Sequence, residues 1–167
     1  MTTPTRKPGR KYDRPRGVTR RPARSGASRG KAGGVVRCED CGLIEFAGEW
    51  RAGPGPVTEV RAGRCPACQR VRARRPAGTL RLHPEFLADR AELLRMIRNV
   101  ERAESSEHPL ERLIDTEESD GTLVVTTTGV HLARALAHKL ARRFHKKPRL
   151  RYAPGETRLF VDWELGD

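Results

Sequence analysis

The sequence predicts an α+β fold in three parts. Residues 1–34 form a disordered basic tail, residues 35–78 a treble- or ribbon-type four-cysteine zinc module, and residues 79–167 a domain of two helices and roughly four strands in the order α-β-β-α-β-β. Three observations predict this. Two CxxC pairs share one 31-residue window, the excess positive charge sits almost entirely before residue 35, and apolar periodicity begins only after residue 79.

The chain has 167 residues, with 34 Lys and Arg against 21 Asp and Glu, a formal net charge of +13. Apolar residues make up 36% and aromatics 5%, too few for one core to order the whole length. No run approaches the ~18 apolar residues of a membrane-crossing helix. No apolar stretch of the secretory-signal type opens the chain. The expectation is therefore a cytoplasmic protein with no membrane partner.

Residues 1–34 carry eleven basic residues and one acid, Asp13, with four prolines and many Gly and Ser. Such a segment cannot bury enough surface to offset its chain entropy. Its charge, including Arg20, Arg21 and Arg24, is that of an arm for a polyanion, because each phosphate neutralised releases condensed counterions. The competing reading is a solubilising tail.

Cys38, Cys41, Cys65 and Cys68 form the pattern CxxC, 23 residues, CxxC. Each pair places two thiolates on one tight turn, and two such turns make a tetrahedral four-sulfur site of the kind Zn²⁺ accepts. A rubredoxin-like iron site would use the same ligands. Four thiolates close the coordination shell, so the expected Zn²⁺ is structural and supplies folding energy. Gly42 stands where the first turn requires a positive φ. Residues 43–46 and Trp50 read as one hairpin arm, residues 53–56 (Gly-Pro-Gly-Pro) as its turn, and residues 57–60 (Val-Thr-Glu-Val) as the return strand. Trp50 either packs over the metal turn or offers a stacking surface to a base. Beyond Cys68, Arg70, Arg72 and Arg74 alternate, so an extended segment would place them on one face. With Arg64 and Arg75 they make a phosphate-contacting surface, against the alternative of a charged, solvated edge.

In the last part, Pro84 opens a helix whose stripe is Phe86, Leu87, Leu93, Leu94, Ile97 and Val100, ending near Ser105 and Ser106. A strand follows through Asp115, Asp120-Gly121 is a tight turn, and residues 123–127 read as a central strand. Thr128 is the expected N-cap of a second helix to about Phe144, with Leu132, Leu136 and Leu140 in its buried stripe. Residues 149–152 and 158–163 are the last strands. His131, His138 and His145 recur every seven residues on one side of the second helix, spaced ~10 Å apart and so too distant to share a metal.

Neither a dinucleotide-binding GxGxxG nor a P-loop is present. Ser105 and Ser106 lack a nucleophile-elbow setting. Asp115, Glu117, Glu118 and Asp120 lack EF-hand spacing. The expectation is a non-enzymatic protein with no small-molecule substrate.

The two CxxC pairs, the arginine run behind them and the α+β segment together resemble an uncharacterised family of small bacterial zinc-ribbon proteins. The resemblance covers about residues 35–165. Residues 108–112 (His-Pro-Leu-Glu-Arg) and 126–134 (Thr-Thr-Thr-Gly-Val-His-Leu-Ala-Arg) look like its most distinctive words. More distantly, the layout is similar to the N-terminal zinc-ribbon region of the archaeal and eukaryotic large-ribosomal-subunit export adaptor, a far longer protein. That likeness implies ribosome or ribosomal RNA binding, and carries over the four cysteines as zinc ligands. The expected function is RNA binding associated with the ribosome. The alternatives are a DNA-binding, transcription-linked zinc ribbon and a protein-interaction adaptor.

Overall fold

The computed structural model describes residues 34–55, 60–153 and 158–163. The expected tail, with Arg20, Arg21 and Arg24, lies outside the described residues, as do Val57, Thr58 and Glu59 of the expected return strand and most of the last turn. The described residues are α+β: three α-helices and two sheets, both of mixed strand direction.

The first sheet has the order β3-β2-β1-β4, built from β1 (Val35–Cys38), β2 (Ile44–Phe46), β3 (Glu49–Arg51) and β4 (Val60–Gly63). β2 and β3 form an antiparallel hairpin, with Glu45 opposite Trp50. Its turn is Ala47-Gly48, at φ 52° and 87°. Two successive positive φ values belong to the tight turns whose twist matches a hairpin. The expected hairpin turn at residues 53–56 is therefore corrected: the chain there leads on from β3 towards β4. β4 runs parallel to β1 rather than closing a hairpin.

Helix α1 (Pro66–Arg72) comes next, with Cys65 as N-cap and Pro66 in its first turn. Pro fits there because its fixed φ is helical and its missing N–H would have no partner in any case. The extended arginine run expected from alternation is thus a helical turn and its exit.

The second sheet has the order β6-β7-β5-β9-β8. Its strands are β5 (Gly78–Leu82), β6 (Leu113–Ser119), β7 (Thr122–Thr127), β8 (Arg149–Tyr152) and β9 (Leu159–Trp163). Helices α2 (Arg90–Glu107) and α3 (Val130–Phe144) complete this part. The order is β-α-β-β-α-β-β, one strand more than expected. β5, the added strand, is the middle of the sheet, antiparallel to β7 and parallel to β9.

Strand alternation builds the core. Leu80 and Leu82, Leu123 and Val125, and Leu159, Val161 and Trp163 are buried in one cluster with Leu93 and Ile97 of α2 and Leu132, Leu136 and Leu140 of α3. Truncating one such leucine to alanine removes both transfer energy and packing, about 2–5 kcal/mol.

The helix boundaries also move. Residues 84–86 form a single 3-10 turn, and α2 starts later with Asp89 as its cap, whose Oδ1 accepts from the Glu92 amide at 3.0 Å. Ser105 and Ser106 sit in the last turn of α2, not in a loop. The N-cap of α3 is Gly129, not Thr128. Asp120-Gly121 does turn the β6–β7 hairpin, at φ 51° and 72°.

Candidate metal centre and arginine cleft

Cys38 ends β1, and the chain turns back at once: the Cys38 amide donates to the Leu43 carbonyl at 2.7 Å and the Gly42 amide to the Cys38 carbonyl at 2.9 Å. Gly42 takes φ +75°, as its place in the turn requires. The second pair is built differently, with Cys65 capping α1 and Cys68 in its first turn. The β1–β4 pairing brings the two together, because Cys38 lies opposite Gly63, just before Cys65 in the chain.

One sulfur from each of the four cysteines lies within 4.8 Å of the others, and the Cys41 and Cys65 sulfurs are 3.7 Å apart. Zn–S bonds of about 2.3 Å at tetrahedral angles set sulfurs about 3.8 Å apart, so the set fits a single ion. Cys38, Cys65 and Cys68 are buried. Burial alone would push the Cys38 thiol up, but amides of Cys65, Cys41 and Asp40 aimed at its sulfur hold it down at about 6. Burial dominates at Cys65 and Cys68, whose thiols are pushed above their ordinary range.

The surroundings fix the two turns to each other. Asp40, between Cys38 and Cys41, accepts from Arg64 Nε at 2.6 Å and pairs with Arg72 at 3.5 Å; Glu39 also pairs with Arg64, at 3.5 Å. Arg64 and Arg72, expected to face phosphate, are thus tied to the acids of the first turn. Trp50 is half-buried and packs against the cysteine cluster.

Leu110 packs on the same cluster, and Arg112 Nη1 approaches the Cys68 sulfur at 4.0 Å. Both belong to the segment 108–112, and neither is expected at the metal centre from the sequence. This segment interlocks with residues 127–129. Thr128 Oγ1 donates to the Leu110 carbonyl at 2.7 Å and accepts from the Arg112 amide at 2.8 Å. The buried Glu111 carboxylate accepts from the Leu132 amide at 3.0 Å, capping α3 from outside the helix. Residues 110–112 and 128–132 are therefore one structural joint.

The remaining arginines of the run converge. Arg70, Arg74 and Arg75, with Arg158 just before β9, line an open cleft of ≈ 930 Å³ whose other lining residues are Pro66, Gln69, Ala73 and Pro76. No acid lines it. Arg74 reaches out of the cleft to Glu117 at 3.4 Å and Asp115 at 3.8 Å. Among the described residues, neither Arg70 nor Arg75 has a carboxylate partner. Arg70 is in α1, and Arg74 leaves it in the left-handed region at φ 46°, with the Arg75 amide donating back to the Arg70 carbonyl at 3.0 Å, so the helix exit and not a strand gathers the three. Arg158, far downstream in the chain, carries no signal in the sequence.

His131, His138 and His145 do not meet one another; His131 and His138 are exposed on α3 and His145 follows its end. Asp115 and Glu117 pair with Arg74, and Glu118 with Arg90 at 2.8 Å. No helix of the described residues is long and apolar enough to cross a membrane.

Fold and site together define an α+β protein with a cluster of four cysteines that could hold a metal ion, beside an arginine-lined cleft. Compared with models of protein families, with curated proteins and with solved structures, the chain matches none.

Proposed function

We propose that this is a non-enzymatic, zinc-dependent RNA-binding protein of the cytoplasm that associates with the ribosome or ribosomal RNA. The observation that carries the reading is the arginine cleft: Arg70, Arg74, Arg75 and Arg158 line one concavity, and no acid is among its described lining residues. Arg is the side chain best matched to phosphate, through its planar fork of donors and its weak hydration. Among the described residues Arg70 and Arg75 have no carboxylate partner, so both are available to a phosphate.

Zn²⁺ is the proposed ion. Cys38, Cys41, Cys65 and Cys68 would hold it, and it would supply folding energy to a module whose own apolar cluster is small. Arg112 beside Cys68 offsets part of the negative charge that four thiolates bring. The tail, with Arg20, Arg21 and Arg24, adds eleven basic residues against one acid, and so adds long-range attraction to a polyanion.

Sedimentation of lysate on a gradient at low and moderate salt tests this. The expected outcome is that the full chain travels with ribosomal subunits and is released as salt rises, and that Arg70→Ala with Arg75→Ala weakens this association. A chain that stays at the top of the gradient at low salt removes the ribosome from the proposal. Tighter binding to duplex DNA than to RNA of the same sequence would transfer the cleft to the DNA-binding alternative.

A further inference from the structure

The five-stranded sheet has one face covered by α2 and α3, and its other face is open among the described residues. On the open face stand Thr79 and Arg81 of β5, Val124 and Thr126 of β7, and Phe160 and Asp162 of β9, because their neighbours in each strand point into the core. Phe160 is 44% exposed, an uncommon position for a phenyl ring in an interior strand. The register puts it directly opposite Thr79 on one side and Arg151 on the other, with Arg81 on the diagonal. Thr79, Arg81, Arg151, Phe160 and Asp162 line a shallow depression of ≈ 290 Å³.

The ring is open as well as exposed. Phe46 and Tyr152, also exposed, each lie beneath a guanidinium, of Arg51 at 5.7 Å and Arg134 at 6.0 Å. Among the described residues no cation covers Phe160. The acids on this face are already engaged: Asp162 Oδ1 lies 3.1 Å from His83 Nε2, and Asp115 and Glu117, at the far edge, pair with Arg74. What remains is a bare aromatic face flanked by Arg81 and Arg151. Arg74 and Pro76 border both the arginine cleft and the β6–β7 side of this sheet face, so the two surfaces are continuous.

We infer that the open sheet face is a stacking platform for single-stranded RNA: Phe160 stacks on one base while Arg81 and Arg151 contact the flanking phosphates, and the strand runs on into the arginine cleft. This rests on the RNA-binding reading above and adds where a single strand is held. The argument is chemical. A π-face accepts any base, and guanidinium groups at the spacing of neighbouring strands supply the positive charge that a phosphodiester backbone needs.

The test measures fluorescence anisotropy of the metal-loaded full chain with a labelled single-stranded RNA of about twelve nucleotides and with its duplex. Phe160→Ala should weaken single-strand binding by about 5- to 150-fold, the equivalent of losing one stacked base. Its salt slope, duplex binding, melting temperature and metal content should be unchanged. Phe160→Tyr should restore binding. Arg81→Ala and Arg151→Ala should each flatten the salt dependence by about 0.7, the loss of one single-strand phosphate contact. If Phe160→Ala and Arg151→Ala bind as the unaltered chain while Arg70→Ala and Arg75→Ala are weakened, the platform is overturned and the cleft stands. If the unaltered chain binds neither RNA at low salt, both readings fall. If Phe160→Ala abolishes self-association instead of RNA binding, the face is a protein contact and the inference is overturned.

Discussion

Glu111 is an acid buried to 8% exposure, and its position is explained by one helix terminus. The first amides of α3 have no intrahelical acceptor, and Gly129 as N-cap has no side chain to offer one. Glu111 takes that role from a distant segment, and Gly129 makes room for it: a Cβ there would collide with the Glu111 carboxylate. Glu111→Ala should therefore destabilise the chain by about 1–3 kcal/mol in chemical denaturation, since it strands a buried amide. Gly129→Ala should cost a similar amount, about 1–3 kcal/mol, by overpacking the same spot. If both variants melt like the unaltered protein, the carboxylate is not the cap. The thiols give a second prediction at this scale. While the cysteine module keeps its fold, Cys38 is lowered to about 6 by the amides at its sulfur, and Cys65 and Cys68, raised by burial, keep their protons at neutral pH. Metal binding must expel at least those two protons, so apparent affinity should fall at least about a hundredfold per pH unit as pH drops from about 8 to about 6. Calorimetry in buffers of different ionisation enthalpy reads the protons directly. The sign for stability follows separately. Cys38 has a depressed folded-state value, so the stability it contributes to the metal-free chain is complete above its ordinary value of 9.0 and is lost as pH falls through about 6.

At the scale of elements, the Ala47-Gly48 turn shows what the sequence hides. Ala is a poor resident of the left-handed region, which costs a non-glycine residue about 1–2 kcal/mol. Ala47→Asn should accordingly raise the stability of the β2–β3 hairpin by several tenths of a kcal/mol, visible as slower hydrogen exchange in Glu45, Phe46 and Trp50. Unchanged or faster exchange would mean that the register is not set by this turn. Asp120-Gly121 is legible because its residues prefer the conformation they adopt; Ala47-Gly48 is not, because tertiary pairing overrides the preference. The same contrast runs through the chain. The periodicity of α2 and α3 and the β-branched run of β7 are visible, since each buries one face of a local pattern. β5 escapes sequence reasoning although it is the central strand: Gly-Thr-Leu-Arg-Leu is short, begins with glycine, and gains its partners from β7 and β9 far along the sequence. Helix α1 escapes it because an alternating arginine run imitates a strand, although Pro66 behind a capping Cys65 is a helix-start signal. The four metal ligands need only their spacing to be found. The cleft needs the helix and Arg158, so three of its arginines are visible in the sequence only for a geometry that does not occur.

Across the whole molecule, two apolar clusters stay separate. One surrounds the cysteines and includes Leu110; the other fills the space between α2, α3 and the five-stranded sheet, and no residue is shared between them. An ion on the four cysteines would hold β1, the first CxxC turn and α1 together, and α1 with its exit presents Arg70, Arg74 and Arg75. The larger core does not depend on the ion in this way. Chelation should therefore act in two stages. Amides of residues 35–46 and 63–73 should lose protection from hydrogen exchange, while those of Leu80, Leu123, Val125 and Val161 should keep it. RNA affinity should fall together with the first group, because loss of α1 scatters the cleft. On the proposed reading, the charge of residues 1–34 contributes independently of this geometry. Deleting residues 1–34 should flatten the salt dependence of RNA binding without altering the metal content or the melting of the remainder, because a charged arm contributes through counterion release and not through fit. Replacing Arg70 and Arg75 should flatten the slope as well and weaken binding about equally across RNA sequences, since phosphate contacts carry no sequence information. A chelated chain that binds RNA as tightly as the metal-loaded one would separate the cleft from RNA binding and leave the tail as the contact that remains.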